Sequence, residues 1–369
     1  MSKRLLANLV LTLSVFLLSV CVAFGAERHP VLTPQVSNTT ELLIAVSPVS
    51  DKVVWAAGTG GVFVVTTDGG NTWKAGTVPG AENLQFRDVQ GISDKVAYLM
   101  SIGDNTTSFR IYKTVDGGAT WKTEFTNLLA NAFYDCMAFW TPNRAVVHSD
   151  SVNGVFPDMR TNDGKVWYSI ASHMPPALSG EASFSSSGTC IASQGDNNGW
   201  ITTGGASTAR ILATTDGGNS WNAYDTPLIS NASAGGLSVA FRDSMHGIVG
   251  GGDLSTNSSI DAATSSDGGQ TWTLTNALPI QGTIFGLAYV SGTHGLKSDG
   301  PDGVLSHAVV VTAESEPDFD SGAAAWTPDE GQTWFTLPNV SGYWAVGFAS
   351  PKAGWFVGNN GQILKISFE

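Results

Sequence analysis

Charged side chains are scarce in this sequence, and most of them are acidic. Lys, Arg, Asp and Glu make up 13% of the 369 residues, with 31 acidic residues against 18 basic ones and a formal net charge of −13. An acidic chain with scattered basic residues argues against binding to nucleic acid or to an anionic membrane surface. This charge balance is compatible with cationic, metal or neutral ligands.

Motifs that hold metals or redox cofactors are absent from the sequence. It contains no CxxC, HExxH or CxxCH motif, and no GxGxxG turn follows a predicted strand. Zinc sites, haem attachment and dinucleotide binding depend on such motifs. The sequence therefore predicts no metal site and no cofactor.

Long apolar runs are lacking everywhere except at the N-terminus. Lys3 and Arg4 precede an apolar run over residues 5–24, and Ala23-Phe24-Gly25 offers a small-x-small cleavage site. This pattern predicts a signal peptide over residues 1–25, and a retained membrane anchor is the alternative. Cleavage would leave one domain, residues 26–369, with a net charge of −15, in the periplasm or secreted. We expect this domain to be a monomer without membrane contact.

Glycine and tryptophan, by contrast, are abundant and recur together in a repeat. Residues 66–73 read TTDGGNTW, and copies follow at 114–121, 161–167, 214–221, 265–272 and 327–334. The shared aspartate and tryptophan pairs are Asp68 and Trp73, Asp116 and Trp121, Asp163 and Trp167, Asp216 and Trp221, Asp267 and Trp272, and Asp329 and Trp334. Successive aspartates lie 47 to 62 residues apart. This period is typical of one four-stranded blade of a β-propeller.

Each copy of the repeat is predicted to be a tight turn between two strands. Asp-Gly between strand-like runs is a strong hairpin signal, and the aspartate side chain can accept bonds from backbone N–H groups further on. The pattern S/T-x-D-x-G-x-T/S-W resembles the Asp-box, or BNR repeat. That resemblance implies a structural role on the face away from an active mouth, rather than six catalytic or calcium-binding carboxylates.

The last repeat is followed by an incomplete blade. Residues 343–349, 354–358 and 362–368 read as three strands, and no fourth strand follows them. We expect residues 28–36 to supply the missing outer strand, because closing the ring removes an exposed sheet edge. The predicted fold is therefore an all-β, seven-bladed β-propeller closed by an N-terminal strand in the last blade. Six blades with a C-terminal tail is the alternative.

Two cysteines, Cys136 and Cys190, remain after the predicted cleavage, and they fall in neighbouring blades. One disulfide would require an oxidising compartment. Two cysteines do not make a disulfide framework, and two separate buried thiols are the favoured interpretation.

Candidate binding residues lie near the predicted starts of first strands, at the end of the channel away from the repeats. Phe-Arg-Asp occurs twice, at 86–88 and 241–243, in what the pattern indicates are equivalent positions. We expect one polar pocket there for a protein partner or a polar small molecule, although mutual pairing of these residues is the alternative. The candidate residues are Arg87, Asp88, Asp135, Glu181, Arg242 and Asp243, with Asp150 and Asp253 reaching the same mouth after second strands.

The resemblance extends beyond the repeats to most of the predicted mature chain. The runs FRDV (86–89), RIYKTVDGGATW (110–121), FYDCMAFW (133–140), SGTCIA (187–192), ARILATTDGG (209–218) and LSVAFRD (237–243) are similar to a bacterial propeller group. That group is akin to the photosystem II stability/assembly factor proteins. The resemblance implies a propeller fold and carries little information about function. Among the possible functions, the favoured one is a non-enzymatic binding or assembly scaffold, with no catalytic residue assigned.

Two enzymatic alternatives remain at this stage. A sialidase-like glycoside hydrolase would need an arginine cluster, a tyrosine activated by a glutamate, and an acid. Arg87, Arg242, Tyr343 and Glu181 are the residues available for those roles, although the Arg-Ile-Pro motif of sialidases is missing. An oxidoreductase would need a cofactor that the sequence does not reveal.

Overall fold

The computed structural model describes residues 30–256, 260–290, 305–314 and 322–368. These residues form seven antiparallel sheets of four strands each, which confirms the predicted seven-bladed β-propeller. The predicted signal peptide lies outside the described residues, and so do residues 291–304, between the first and second strands of blade six. Within the described part of the chain, no helix is long and apolar enough to cross a membrane.

The strands follow one another along the chain, blade by blade, after a first strand that belongs to the last blade. That first strand is β1 (Pro30–Gln35). Blades one to three are β2 (Leu43–Pro48), β3 (Val54–Gly58), β4 (Val62–Thr66) and β5 (Lys74–Thr77); β6 (Gln85–Gly91), β7 (Ala97–Ile102), β8 (Arg110–Thr114) and β9 (Lys122–Thr126); β10 (Tyr134–Thr141), β11 (Arg144–Ser149), β12 (Met159–Thr161) and β13 (Trp167–Ser169).

Blades four to seven continue the pattern. They are β14 (Ile191–Gln194), β15 (Asn198–Thr202), β16 (Arg210–Thr214) and β17 (Asn222–Asp225); β18 (Ala234–Phe241), β19 (Gly247–Asp253), β20 (Asp261–Ser265) and β21 (Thr273–Leu274); β22 (Thr283–Tyr289), β23 (Val309–Glu314), β24 (Ala323–Thr327) and β25 (Phe335–Leu337); β26 (Tyr343–Ser350), β27 (Ala353–Gly358) and β28 (Ile363–Phe368). The helical turns within the described residues are short 3₁₀ segments at Thr106–Ser108, Ala171–His173 and Asn359–Gly361.

The N-terminal strand closes the ring as the sequence predicts. β1 pairs antiparallel with β28, from Pro30 opposite Phe368 to Gln35 opposite Ile363. The Gln35 Oε1 atom accepts hydrogen bonds from Trp73 Nε1 at 3.0 Å and from Trp355 Nε1 at 3.2 Å, so the end of β1 joins blade seven to blade one. The six-blade alternative is therefore wrong, and the third strand of blade seven has a partner on its outer side.

The repeats form the turns between third and fourth strands, and we call them the repeat turns. In the copy at Asp216, the carboxylate accepts hydrogen bonds from Thr214 Oγ1, from the Asn219 and Ser220 N–H groups, and from Ser220 Oγ. Asp68, Asp116, Asp267 and Asp329 accept bonds in a similar pattern, and Asp163 accepts from two backbone N–H groups. Such bonds fix the turn locally, which favours a structural role for these carboxylates.

The tryptophan of a repeat turn packs on the preceding blade in chain order, not on the following blade. Trp121 of blade two meets Trp55 and Phe63 of blade one edge-on, with ring centroids 6.2 Å and 5.1 Å away. Other tryptophans hydrogen-bond forward to the next blade. Trp55 and Trp200, on second strands, donate to Ser93 O and Gly268 O. Trp140, near the end of the first strand β10, donates to Asn198 O. Neighbouring blades are thus joined by buried aromatic rings in both directions.

Candidate functional site

The two faces of the propeller follow from strand direction. Because the repeat turns come after third strands, and first and third strands run in the same direction, first strands end on the face that carries the repeat turns. We call this the turn face. First strands begin on the opposite face, the mouth face, where the loops from fourth to first strands and from second to third strands also lie.

Near the start of six first strands, a bulge inserts one extra residue into the register of the strand pair, at a similar depth in the channel. In β6, for example, Phe86 pairs with Ser101 and Asp88 with Met100, which leaves Arg87 without a partner across the ladder. β-bulges re-aim side chains in this way and often lie beside functional sites. The six bulge residues are Ile44, Arg87, Asp135, Leu237, Phe285 and Trp344.

Five of the bulge residues, all except Ile44, line a pocket of about 370 Å³ at the mouth face. Four of the six, Ile44, Leu237, Phe285 and Trp344, form one apolar cluster, and Phe184 and Leu254 pack against it. The pocket is lined by Arg87, Phe133, Asp135, Asp150, Ser183, Phe184, Ser185, Ser186, Leu237, Leu254, Phe285 and Trp344. It therefore combines apolar walls with three ionisable side chains, a combination typical of ligand sites.

Residues 182–190, which we call the crossing segment, run across the channel and form part of the pocket floor. This segment precedes β14 in blade four, yet it bonds to four other blades. Ser183 N–H donates to Asp150 of blade three at 2.9 Å, and Ser185 O accepts from Arg87 Nη1 of blade two at 3.1 Å. Ser187 Oγ donates to Phe285 O of blade six, and Thr189 O accepts from Val239 N–H of blade five at 2.9 Å.

The crossing segment ends at a disulfide. Cys136 on β10 and Cys190 are bridged, with their Cα atoms 6.1 Å apart, and both are buried. The favoured interpretation of two separate thiols is therefore wrong. The cysteines are 54 positions apart in the sequence, and Cys190, at the end of the crossing segment, lies beside β10 of blade three.

Three of the predicted site residues, Arg87, Asp135 and Asp150, converge on this pocket. The Arg87 guanidinium donates from Nη2 to Gln85 Oε1 at 2.8 Å and lies 5.7 Å from the ring centroid of Trp344. Burial lowers the pKa of Arg87, and the negative charge of Asp135 partly opposes this shift.

Asp135 and Asp150 form a carboxyl pair at the edge of the crossing segment. Burial raises the pKa of Asp135 well above its usual range, and the neighbouring Asp150 raises it further. Burial also raises the pKa of Asp150, against the effect of the Ser183 N–H bond and of His148. Two carboxyl groups in this arrangement share a proton rather than ionise together.

Asp88 lies beneath the pocket rather than in it. It borders a narrower cavity of about 60 Å³ deeper in the channel, and its Oδ2 accepts a hydrogen bond from Met137 N–H at 2.7 Å. Asp88 is 5% exposed, and burial raises its pKa to about 8. The side chain is therefore a protonated carboxylic acid at neutral pH, which does not suit the predicted role in a solvent-open site.

We expect Asp88→Asn to stabilise the protein at neutral pH. With a folded-state pKa near 8 and an unfolded value near 4, the protonated Asp88 adds stability below pH 4 that is lost as the pH rises toward 8. The variant should therefore gain on the order of 4 kcal/mol over the wild type at pH 7, about 1.4 kcal/mol for each pH unit above the unfolded pKa, and little at pH 4. Denaturant unfolding at pH 4, 6 and 8 measures this difference. Asp216→Asn should show the opposite sign, because its turn bonds lower the pKa of Asp216. An Asp88→Asn variant that is destabilised equally at every pH would contradict the assignment.

Glu181 and Asp253 have partners of their own outside the pocket lining. Glu181 is 1% exposed and holds Arg210, whose Nε donates to Glu181 Oε1 at 2.8 Å. It precedes the crossing segment and is not near a first-strand start, because β14 begins ten residues later, at Ile191. Asp253 ends β19 and accepts bonds from Asn231, Ser233 and Ser255, which lower its pKa.

Arg242 and Asp243 lie on the opposite face, so the prediction that six residues line one pocket is wrong. The second Phe-Arg-Asp follows the end of β18, whereas the first lies at the start of β6. Arg242 Nε donates to Oε1 of Glu330, in the repeat turn of blade six, at 2.7 Å, and its Nη1 donates to Asp243 at 2.7 Å. Here the pairing alternative is confirmed, and the shared tripeptide does not mark equivalent positions.

The arrangement proposed for a sialidase-like active site does not assemble from the predicted residues. Arg87 and Arg242 are on different faces, and Glu181 is paired with Arg210. Tyr343 packs in the apolar cluster between blades six and seven, with its ring 5.7 Å from that of Phe356. Within the described residues, no group of three or more His, Cys, Asp or Glu side chains could hold a metal ion.

Sequence reasoning missed the apolar half of the pocket. Leu237, Phe285 and Trp344 line it together with Arg87 and Asp135, and Ile44 packs in the same apolar cluster, but the candidate residues predicted from the sequence are all polar. The sequence does carry a signal for them, because each of the six bulge residues is the second to fourth residue of its first strand. Aligning the six strands at their first residues places the bulge residues within two positions of one another.

The chain matches no protein-family model, and no curated protein matches it in sequence. Among solved structures it is similar to YCF48 bound to D1 peptide and to YCF48 from Cyanidioschyzon merolae, each with a TM-score of 0.62 and 15% identity. The matches cover 92% and 91% of this chain and 97% and 98% of the respective YCF48 chains. A GH74 xyloglucanase from Xanthomonas campestris matches with a TM-score of 0.59 and 12% identity over 90% of this chain and 53% of the enzyme. At these identities the similarity shows the fold.

Proposed function

We propose that this protein is an exported, non-enzymatic propeller that binds a polypeptide segment of a partner protein in the pocket at its mouth face, as a binding or assembly scaffold. The observation that carries the proposal is the pocket itself, with bulge residues and the crossing segment as its walls and floor. Its apolar and charged side chains suit a peptide better than a bare ion. The similarity in fold to YCF48 bound to D1 peptide supports a protein partner.

Exposed apolar side chains around the mouth support the same proposal. Leu128, 82% exposed, and Leu129 lie in the loop from β9 to β10, and Val36, Val155 and Ile229 are exposed in other loops of the mouth face. Exposed apolar side chains near a concave site are typical of surfaces that bind proteins. These side chains could contact the partner outside the pocket.

Export and the nature of the repeat turns belong to the proposal as well. The basic start and apolar run of residues 3–24 support cleavage of a signal peptide. The Cys136–Cys190 disulfide supports an oxidising compartment, the periplasm or the exterior. The bonds around Asp68 and its equivalents support an Asp-box assignment for the repeat turns.

Site-specific photo-crosslinking tests the proposed binding face. A photoreactive phenylalanine analogue replaces Leu128 on the mouth face or Val115, which is 65% exposed, in a repeat turn on the turn face. In the native cells, we expect position 128 to crosslink a partner polypeptide and position 115 to crosslink none. Equal crosslinking from both positions would contradict a binding site at the mouth.

The crosslinked segment, made as a synthetic peptide, then tests the pocket. Arg87→Ala should weaken its binding by roughly tenfold, because a charged donor in the pocket is lost. Asp216→Ala is the matched control on the turn face. It should lower stability by on the order of 1–3 kcal/mol through lost turn bonds while leaving the affinity unchanged. Lost affinity in Asp216→Ala with normal affinity in Arg87→Ala would reject the site.

A further inference from the structure

One end of the pocket carries a carboxyl oxygen that no group in the described part of the chain bonds. The Oδ2 atom of Asp135 is buried and has no hydrogen-bond partner there, and the residue is 1% exposed. Asp150, at the pocket wall, is hydrogen-bonded to the Asp135 carboxyl and accepts from Ser183 N–H at 2.9 Å. A buried polar atom without a partner is costly, and such atoms in folded proteins are few.

We propose that Asp135 and Asp150 form a subsite for a basic side chain, a lysine or an arginine of the bound polypeptide. This inference rests on the proposed function and specifies what the mouth pocket selects. The ammonium or guanidinium group would donate to the edge of Asp150 that lines the pocket, with Asp135 behind it sharing the proton of the pair. A charge-assisted bond of this kind is stronger than a bond between neutral groups.

The walls of the pocket suit the stem of such a side chain. Phe133, Phe184, Phe285 and Trp344 line the same pocket as the two carboxyl groups, and the rings of Phe285 and Trp344 meet edge-on at 5.1 Å. Lysine and arginine bury their aliphatic stems against apolar surface and keep the charged head at a polar end. Aromatic faces add a further attraction for the cation.

The basic group already in the pocket does not neutralise the carboxyl pair through a contact. Arg87 donates to Ser185 O and to Gln85 Oε1, and no ion pair joins it to Asp135 or Asp150 among the described residues. The net charge of −13 also favours the approach of a cation over that of an anion. A basic side chain is therefore a better ligand for the Asp135 and Asp150 carboxyl pair than an acidic one.

The subsite should respond to pH in one direction. Burial raises the pKa of both carboxyl groups, so the pair gains its negative charge at a higher pH than exposed carboxyl groups do. The ionisable groups that act on the pair are Arg87, His148 and Asp158. A cationic ligand should therefore bind more tightly as the pH rises and the pair loses its shared proton, as long as the pH stays below the usual lysine pKa of about 10.4.

Two small probes test this subsite: Nα-acetyl-lysine methylamide and its analogue with norleucine, which keeps the aliphatic stem without the amine. We measure their affinities by calorimetry or ligand-detected NMR for the wild type, for Asp150→Asn and for Asp51→Asn. Asp150→Asn keeps an oxygen for Ser183 N–H, and Asp51, exposed on the turn face, is the charge-matched control. We expect the lysine probe to bind roughly tenfold more tightly than the norleucine probe in the wild type and in Asp51→Asn, and this preference to vanish in Asp150→Asn.

The outcomes separate this inference from the proposed function. A preference for lysine that grows with pH and disappears in Asp150→Asn supports the subsite, even if no crosslinked polypeptide is found at position 128. Equal binding of the two probes by the wild type overturns the subsite, and so does an unchanged preference in Asp150→Asn. A polypeptide that crosslinks at the mouth but contains no Lys or Arg near the crosslink also overturns it, while leaving the proposed function intact.

Discussion

Replacing both Cys136 and Cys190 by alanine should lower the free energy of unfolding by about 4 kcal/mol. The bridge joins residues that are 54 positions apart, and a loop of that length loses about 4 kcal/mol of chain entropy in the unfolded state when it is closed. Denaturant unfolding of the wild type and of the double variant measures the difference. Unfolding of the wild type in a reductant should give the stability of the variant, because the reduced unfolded chain has lost the same constraint.

The single variants separate the bridge from simple packing. Cys136→Ala and Cys190→Ala each break the disulfide, so each should cost nearly as much as the double replacement. If the sulfur atoms contributed only apolar contacts, the cost of the double variant would instead approach the sum of the two single costs. Equal stability of the wild type with and without reductant would contradict the bridge itself.

Loss of the disulfide should also loosen the pocket. Cys190 ends the crossing segment. In that segment, Ser187 Oγ donates a hydrogen bond to Phe285 O, and Ser185 O accepts one from Arg87 Nη1. We expect faster amide exchange over residues 183–189 in the double variant than in the wild type, with the strands of blades one and seven unchanged. The disulfide therefore connects the stability of the fold to the shape of the proposed site.

The number of blades and the closure of the ring could be predicted because they depend on local signals. The turn at Asp68 and its copies mark the end of every third strand but the last, and the missing fourth strand after Phe368 leaves β1 as its partner. Each of these signals can be recognised within a few residues. An Asp-Gly pair between two strands predicts a tight turn, and a strand left at the edge of a sheet requires a partner. Counting them was enough to give the architecture.

The site could be predicted only in part, because it depends on where the bulge lies along each first strand and on the path of the crossing segment. Arg87 and Asp135 were found near strand starts, and the bulges that aim them into the channel were not. Phe86-Arg87-Asp88 and its copy at 241–243 have the same letters at opposite ends of their strands. The partner of Glu181 lies 29 residues away, and no local pattern indicated it.

Glu181→Ala should lower the free energy of unfolding by roughly 3–5 kcal/mol, the cost of leaving a buried charge without its partner. Glu181 and Arg210 are 1% and 8% exposed, and Arg210 Nε and Nη2 both donate to the carboxylate. Thr203 Oγ1 and Leu178 N–H also donate to it, each at 2.7 Å, so the substitution would remove several bonds at once. Denaturant unfolding of the wild type and the variant measures the loss.

Two further variants show whether the loss comes from the ion pair. Replacing Glu181 and Arg210 together by methionine removes both charges, so the double variant should recover much of the stability that Glu181→Ala loses. Asp94→Ala breaks an exposed contact with Lys95 at 3.7 Å and should change the stability by less than about 1 kcal/mol. A Glu181→Ala protein that keeps its stability but loses affinity for the mouth peptide would make Glu181 a binding residue. A destabilised variant that retains its affinity would instead establish that Glu181 stabilises the chain just before the crossing segment. In that case Arg87, Asp135 and Asp150 are the charged groups that contact the ligand.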